Sequence, residues 1–265
     1  MFGAIIGDLA GSIYEFEQFK NCHPVKINNI IEKDSFFSDD TILTIAVADA
    51  ILNHVEYETK LKEYATIYNT HLPDYTPYFK TMFSPNFIEW TKSNRQGESS
   101  GNGAMMRISP VGFFFNTEEE VIKNSYLATF PSHNSKEAIN CARIVALIIF
   151  YARQQMSKQE IINKLNLKIT KPVIKQFNYT CADTIDLCLY SLFNSNNFEE
   201  SIKTAISFGG DTDTNACIVG SMAEAMFGID EKLKNKALKK LPNEFKKIIK
   251  AFYDKIDNTK PIQKI

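Results

Sequence analysis

Apolar residues recur along most of the chain at the three- and four-residue spacing of helices, and hardly a segment alternates as a strand does. The pattern predicts an all-α protein. In the stretch from Met1 to Phe19 the small residues Gly3, Ala4, Gly7, Ala10 and Gly11 recur at helical spacing, which suits a close helix crossing. On a continuous helix there, Asp8 and Glu15 would share a face that is otherwise apolar. Residues 21–33 lack periodicity and read as a loop, with one short extended piece at 25–31. Ile42 to Leu52 is apolar almost all round, hence a buried helix, and it is entered through Ser38-Asp39-Asp40-Thr41. An amphipathic helix from Glu56 to Thr70, a Pro- and Tyr-containing connection at 73–77 and a short helix near Phe87 to Lys92 follow.

Thr117 to Glu120 and Ser157 to Glu160 have the form of capping boxes, the first opening a helix to about Ala128 and the second a short one. Ser132-His133-Asn134-Ser135 leads into a long buried helix, Lys136 to Arg153. After an irregular segment at 172–180, helices are expected at Ala182 to Phe193, Phe198 to Ser207, Asn215 to Phe227, Glu231 to Leu241 and Asn243 to Ile256.

Two of these helix starts carry unusual chemistry. Asp211 and Asp213 stand one residue apart in Gly209-Gly210-Asp211-Thr212-Asp213-Thr214-Asn215, among hydroxyls and amides rather than basic groups. Such carboxylates repel unless a cation, a proton or an arginine lies between them, and a hard divalent metal is the natural partner. The alternative is that Asp213 or Thr214 simply caps the helix. An EF-hand loop is excluded, because counting from Asp211 its turn glycine falls on Ala216 and its bidentate glutamate on Met222. Asp39 and Asp40 repeat the design. Brought together, the four aspartates would formally match two divalent cations. Glu15, if buried among small apolar neighbours, would need a partner too.

The segment from Asn94 to Arg107 is of another kind. Gly97, Gly101 and Gly103 with Ser and Asn make a loop whose backbone N–H groups can be turned to an anion, although ordinary surface loops contain such strings. His133 follows on the loop ahead of the long helix, and no zinc-binding spacing exists among His23, His54, His71 and His133.

Composition narrows the classes. The 265 residues, 44% hydrophobic and 23% charged, suffice for one large core, and a single domain is expected. Thirty basic against 31 acidic residues give a net charge of -1, which argues against a protein whose main work is gripping nucleic acid. Five cysteines without a C-x-x-C pair fit a reducing compartment, and a cytoplasmic location is expected. The apolar N-terminus lacks a basic flank and is interrupted by Asp8, so no targeting signal and no membrane span are read from it.

Taken in order, Gly7-Asp8-Leu9-Ala10-Gly11-Ser12-Ile13-Tyr14-Glu15, Phe37-Ser38-Asp39-Asp40-Thr41, Gly101-Asn102-Gly103-Ala104-Met105-Met106-Arg107, Ser132-His133 and Gly209 to Ala216 form a specific set. With these motifs the chain resembles the ADP-ribosylglycohydrolase family, which includes the dinitrogenase-reductase activating glycohydrolases and, as non-enzymatic cousins, some lens crystallins. The resemblance runs from Gly3 to about Gly228 and implies a single all-α domain over residues 1–265 with two Mg²⁺ or Mn²⁺ ions between helix ends.

Residue by residue, the resemblance implies Ser38, Asp39, Asp40, Asp211, Asp213 and Thr214 as metal ligands, Ser38 standing where the family commonly has threonine. It implies Glu15 as the catalytic residue beside the metals and the ribose. Gly101, Asn102, Gly103, Ala104 and His133 match loops that hold the diphosphate and ribose of ADP-ribose. The implied activity is metal-dependent cleavage of ADP-ribose from a modified protein side chain, a nucleic acid base or a small molecule, with no membrane and no stable nucleic-acid partner. Two other readings stay open: a dimetal phosphoesterase or nucleotide pyrophosphohydrolase, and a non-catalytic ADP-ribose binder, against which the intact aspartates argue.

Overall fold

Fifteen α-helices make up the regular structure of the described residues, which are 1–70 and 81–259 of the computed structural model, with side chains described to 257. The connection expected at 73–77 lies outside the described residues. The helices run α1 (Phe2–Gly11), α2 (Glu15–Gln18), α3 (Asp39–Asn53), α4 (Tyr57–Tyr68), α5 (Pro85–Thr91), α6 (Gly103–Met106), α7 (Ser109–Phe114) and α8 (Glu118–Thr129). Then come α9 (Lys136–Arg153), α10 (Lys158–Lys164), α11 (Cys181–Phe193), α12 (Phe198–Ser207), α13 (Thr212–Phe227), α14 (Glu231–Leu238) and α15 (Asn243–Thr259). No strand forms among the described residues, where two isolated bridges, Glu98 with His133 and Gly101 with Thr180, tie the glycine-rich loop to its neighbours.

The crossing of α1 with α13 is the centre of the molecule, and its closeness follows from the small residues. A Cβ added at Gly3 would lie 2.0 Å from the Gly220 carbonyl oxygen, one at Gly7 2.0 Å from that of Ala216, and one at Gly11 2.3 Å from that of Thr212. Ten residues are too few for a helix to stand alone in water. Every residue of α1 is buried, so its stability is tertiary. Gly7→Ala therefore sets helix propensity, which favours alanine by up to about 1 kcal/mol, against a backbone clash. Overpacking costs about 1 to 3 kcal/mol or more, and we expect a net loss of unfolding free energy by chemical denaturation. Unchanged or raised stability would show that the two helices part without cost.

The outer packing follows the sequence periodicity. From Thr212 to Ala223, α13 is buried without interruption, and it is surrounded by α1, α9, α11 and α12. On α15, Phe245, Ile249, Phe252 and Ile256 recur at four- and three-residue spacing and are all buried, and that stripe lies against α3. Both capping boxes form.

The N-terminal stretch departs from a single helix. It ends at Gly11 and resumes at Glu15, because the Thr212 hydroxyl takes the Gly11 carbonyl at 2.9 Å and the Tyr14 N–H closes a turn onto the same oxygen at 3.0 Å. Residues 25–31 form no strand, since no strand is beside them to pair with; instead the Val25 N–H donates to the Ser207 carbonyl at 3.2 Å. Helix α13 starts at Thr212 rather than Asn215, which puts Asp213 and Thr214 inside its first turn.

Candidate active site

Two helix N-termini, those of α3 and α13, meet beside the end of α1. Asp8 makes the junction. Its Oδ2 accepts the Ser38 N–H (2.9 Å), the Thr41 N–H (3.1 Å) and the Thr41 hydroxyl, and its Oδ1 accepts the Ser38 hydroxyl (2.8 Å). Fully buried, Asp8 thus pins the start of α3 against α1. Ser38 is the N-cap of α3 and accepts the Asp40 N–H at 3.3 Å.

The approach to α13 depends on glycine at one point in particular. Gly210 has φ +74°, and a Cβ there would lie 2.1 Å from Asn178 Oδ1, the atom that accepts the Asp211 N–H at 3.0 Å. Asp211 is the N-cap of α13, yet its carboxylate caps no helix amide and instead accepts from Asn102 Nδ2 at 2.7 Å. Asp213 Oδ1 accepts the neighbouring Thr214 N–H at 2.9 Å, and the Thr214 hydroxyl reaches across to Asp40 Oδ2 at 3.2 Å.

Asp213 is the hub. Ligand oxygens of Asp8, Asp40 and Asp213 lie within 4.8 Å of one another, and so do those of Glu15, Asp211 and Asp213. Asp39 is in neither triad, but it is near enough for the charges of Asp213 and Asp8, after its own burial, to help push it up to about 8. Burial first, then Asp213, pushes Asp8 up to about 7, and burial raises Asp211 to about 6. Asp40 and Asp213 are held well above the usual carboxylate range by burial and by their acidic neighbours. Half-buried Glu15 is raised likewise, by desolvation and then by the charges of Asp213, Asp211, Asp39 and Asp40.

The donor set is all oxygen, carboxylate and hydroxyl, which is the chemistry of hard divalent cations. Asp40 Oδ1 is buried with no hydrogen-bond partner, an acceptor that a cation would satisfy. The residues fit such an ion.

An uncompensated cluster also fixes a pH dependence. The raised values of Asp8, Asp39 and Asp211 lie above the ordinary carboxylate value of about 3.9. The folded state then holds more protons than the unfolded chain, an advantage lost as pH rises through those values. Melting temperatures in EDTA should fall between about pH 5 and pH 8, and fall less with saturating Mg²⁺. A flat or rising profile in EDTA would mean that the aspartates are compensated from within the protein.

The glycine-rich segment borders the cluster in an unexpected way. Asn102 is buried, and its amide supports Asp211 and the Asn178 carbonyl rather than facing outward. Several backbone donors of the loop are already used: Gly101 N–H by Ser99 Oγ (3.0 Å), Asn102 N–H by the Tyr179 carbonyl (2.9 Å) and Ala104 N–H by the Gly101 carbonyl (3.3 Å). Among the described residues the Gly103 N–H has no such partner. His133 lies against the same loop, its Nε2 3.4 Å from where a Cβ of Gly103 would be.

Sequence reasoning noted Asp8 beside Glu15 and quoted Asp8 and Arg107 within its motifs but gave neither a role in the site, and it passed over Asn178. A carboxylate inside a fully apolar, small-residue helix was the signal for Asp8. Nothing in the irregular segment around Asn178 marked it. Arg107, wholly buried, ends the glycine motif itself.

The family model described as ADP-ribosylglycohydrolase matches residues 1–261. The chain is 24% identical over 273 aligned residues to the ADP-ribosylarginine hydrolase Tri1 of Pseudomonas putida (strain GB-1), covering 86% of this chain and 70% of that one. To the ADP-ribosylhydrolase ARH3 of Danio rerio it is 22% identical, over 87% of this chain and 82% of that one. Among solved structures, an ADP-ribosylglycohydrolase-related protein complex has a chain of the same fold, with a TM-score of 0.69 at 17% identity over 96% of this chain and 95% of that one. The chain belongs to the ADP-ribosylglycohydrolase family, hydrolases that act on glycosidic bonds.

Proposed function

We propose that the protein is a Mg²⁺- or Mn²⁺-dependent hydrolase that cleaves the bond between the anomeric carbon of ADP-ribose and a modified side chain, nucleobase or small molecule, releasing ADP-ribose. The observation that carries this reading is the convergence of five aspartates, in part as two triads that share Asp213, on one centre with Glu15. Ser38, Asp39, Asp40, Asp211, Asp213 and Thr214 would hold the ions. When bound, they supply Lewis acidity and a water of lowered pKa.

The chain's own residues carry the remaining work. Cleavage at an anomeric carbon builds oxocarbenium-like positive charge on the sugar, which a cluster of buried carboxylates favours. Glu15, with its proton affinity raised by burial and four aspartates, is suited to hold and pass a proton at the leaving bond. Among the described residues the Gly103 N–H has no hydrogen-bond partner, which leaves it available to donate to the diphosphate. Relatives named for ADP-ribosylarginine make an arginine linkage the first to try.

A panel of ADP-ribosyl substrates linked through arginine, serine, a nucleobase or an O-acetyl group, each with and without Mg²⁺, tests the reading. Metal-dependent release of free ADP-ribose from at least one is expected. AMP as the product would make the protein a phosphoester hydrolase, and no product from any, with ADP-ribose still bound, would make it a binder.

A further inference from the structure

Arg107 is the largest side chain that this fold buries completely, and among the described residues no carboxylate forms an ion pair with it. A buried guanidinium without a paired anion is costly, so its position calls for a cause. Its Nη2 donates to Ser132 Oγ at 2.6 Å and lies 3.3 Å from His133 Nδ1. Ser132 Oγ is itself 2.8 Å from that Nδ1. Nε and Nη1 have no partner, and the Phe87 ring lies 5.9 Å away.

These contacts decide a tautomer. A guanidinium carries donors only, so the Nδ1 it faces must accept. The Ser132 hydroxyl, accepting from Arg107, has its own hydrogen left to give to the same Nδ1. A neutral imidazole whose Nδ1 accepts carries its proton on Nε2. The ring is neutral, since burial and then the Arg107 charge hold His133 well below its ordinary value, while Arg107, lowered by burial to about 10, remains a cation at neutral pH.

The other edge of the ring faces the glycine loop. Nε2 would be 3.4 Å from a Cβ on Gly103 and 3.5 Å from one on Gly101, so both glycines leave room beside it. Among the described residues no protein group hydrogen-bonds Nε2, and the N–H of Gly103, the residue that this ring edge lies against, is unpartnered as well. Two donors without acceptors, one on the ring and one on the glycine it faces, leave room for an oxygen that the protein does not supply.

We propose that Arg107 is a positioning residue: with Ser132 it locks His133 as the Nε2–H tautomer, so that Nε2–H and the Gly103 N–H donate together to one acceptor oxygen of the ligand. That this oxygen belongs to the diphosphate of ADP-ribose rests on the proposed function. The lock itself does not.

Nitrogen NMR of ¹⁵N-histidine-labelled protein reads the tautomer directly, a His133→Gln variant assigning the signal among the four histidines. Wild type without ligand should show Nε2–H and unprotonated Nδ1 at neutral pH. The Nδ1–H form there would overturn the proposal with no variant needed. ADP-ribose added to the Mg²⁺-loaded protein should shift the Nε2 signal. Binding seen by calorimetry without that shift would remove the donor role.

Arg107→Met should release the tautomer and weaken ADP-ribose binding about tenfold, the scale of one hydrogen bond lost, raising KM more than it lowers kcat. Arg107→Lys, which still offers only donors, should restore the Nε2–H form. A fall in kcat alone, with the tautomer unchanged in Arg107→Met, would count against positioning. If ADP-ribose does not bind wild type at all, the proposed function fails together with the assigned ligand, and the ligand-free spectrum still decides the lock.

Discussion

Glu15→Gln should lower turnover by roughly 10²- to 10⁴-fold, the usual scale for loss of a positioned acid or base, while ADP-ribose affinity changes by only a few fold. Glutamine keeps the length and the hydrogen-bonding oxygen of the side chain and removes the group that ionises. The surroundings give that ionisation its importance. Glu15 opens α2, and its oxygen lies in one triad with Asp211 and Asp213. Desolvation and four aspartate charges raise its proton affinity while no cation lies among them, and a carboxyl that holds a proton can pass it to a leaving group. A kcat loss without a matching loss of affinity places the residue in the transition state rather than in ground-state binding. Single-turnover rates beside calorimetric titration with ADP-ribose separate the two. Near-normal turnover would eliminate Glu15 as the proton carrier.

Much of this site was legible in the sequence because its parts sit at helix starts, where local chemistry announces itself. The paired aspartates of α3 and α13 interrupt otherwise apolar helices, and no helix needs two acids there for capping alone. The glycine stripe of α1 forecast the crossing that brings these starts together, since only small residues let two backbones approach to the observed distance. What the sequence could not carry was side-chain direction. Asn102 reads as a loop residue open to ligand, yet it turns inward to Asp211. The loop reads as a row of free amides, yet Ser99 and the Tyr179 carbonyl occupy two of them. Asn178 lies 33 residues from Asp211 in an aperiodic stretch, and its role follows only from the positive φ of Gly210, which brings the chain against it. Short α6 and α7 escaped because four and six residues are too few for a period to show.

Asp213→Asn should abolish activity and most of the Mg²⁺-dependent stabilisation, and yet raise the melting temperature of the metal-free protein. Asp213 is the one residue common to both triads, and its charge is among the causes that raise Asp8, Asp39, Asp40 and Glu15. Asparagine preserves the oxygen that accepts the Thr214 N–H, so the first turn of α13 keeps that bond. It removes a charge from a buried centre that is rich in negative charge and has no ion pair among the described residues. In EDTA the variant is therefore relieved of repulsion, most strongly at the higher pH where the neighbouring aspartates are ionised.

In Mg²⁺ the balance reverses. A ligand bound only by the folded state stabilises by about 2.7 kcal/mol at a hundredfold excess over its Kd. At about 2 to 4 °C per kcal/mol for a chain of this size, each site filled in wild type is worth roughly 5 to 10 °C. The variant, with a neutral oxygen in place of the shared carboxylate, should lose most of that gain. A helix-cap role predicts neither change, because asparagine caps about as well as aspartate and both melts would stay near wild type. Thermal melts of the two proteins in EDTA and in Mg²⁺ or Mn²⁺, at pH 6 and pH 8, read both signs. A wild type that gains nothing from metal and stays active in EDTA would overturn the dimetal reading, whatever the variant does.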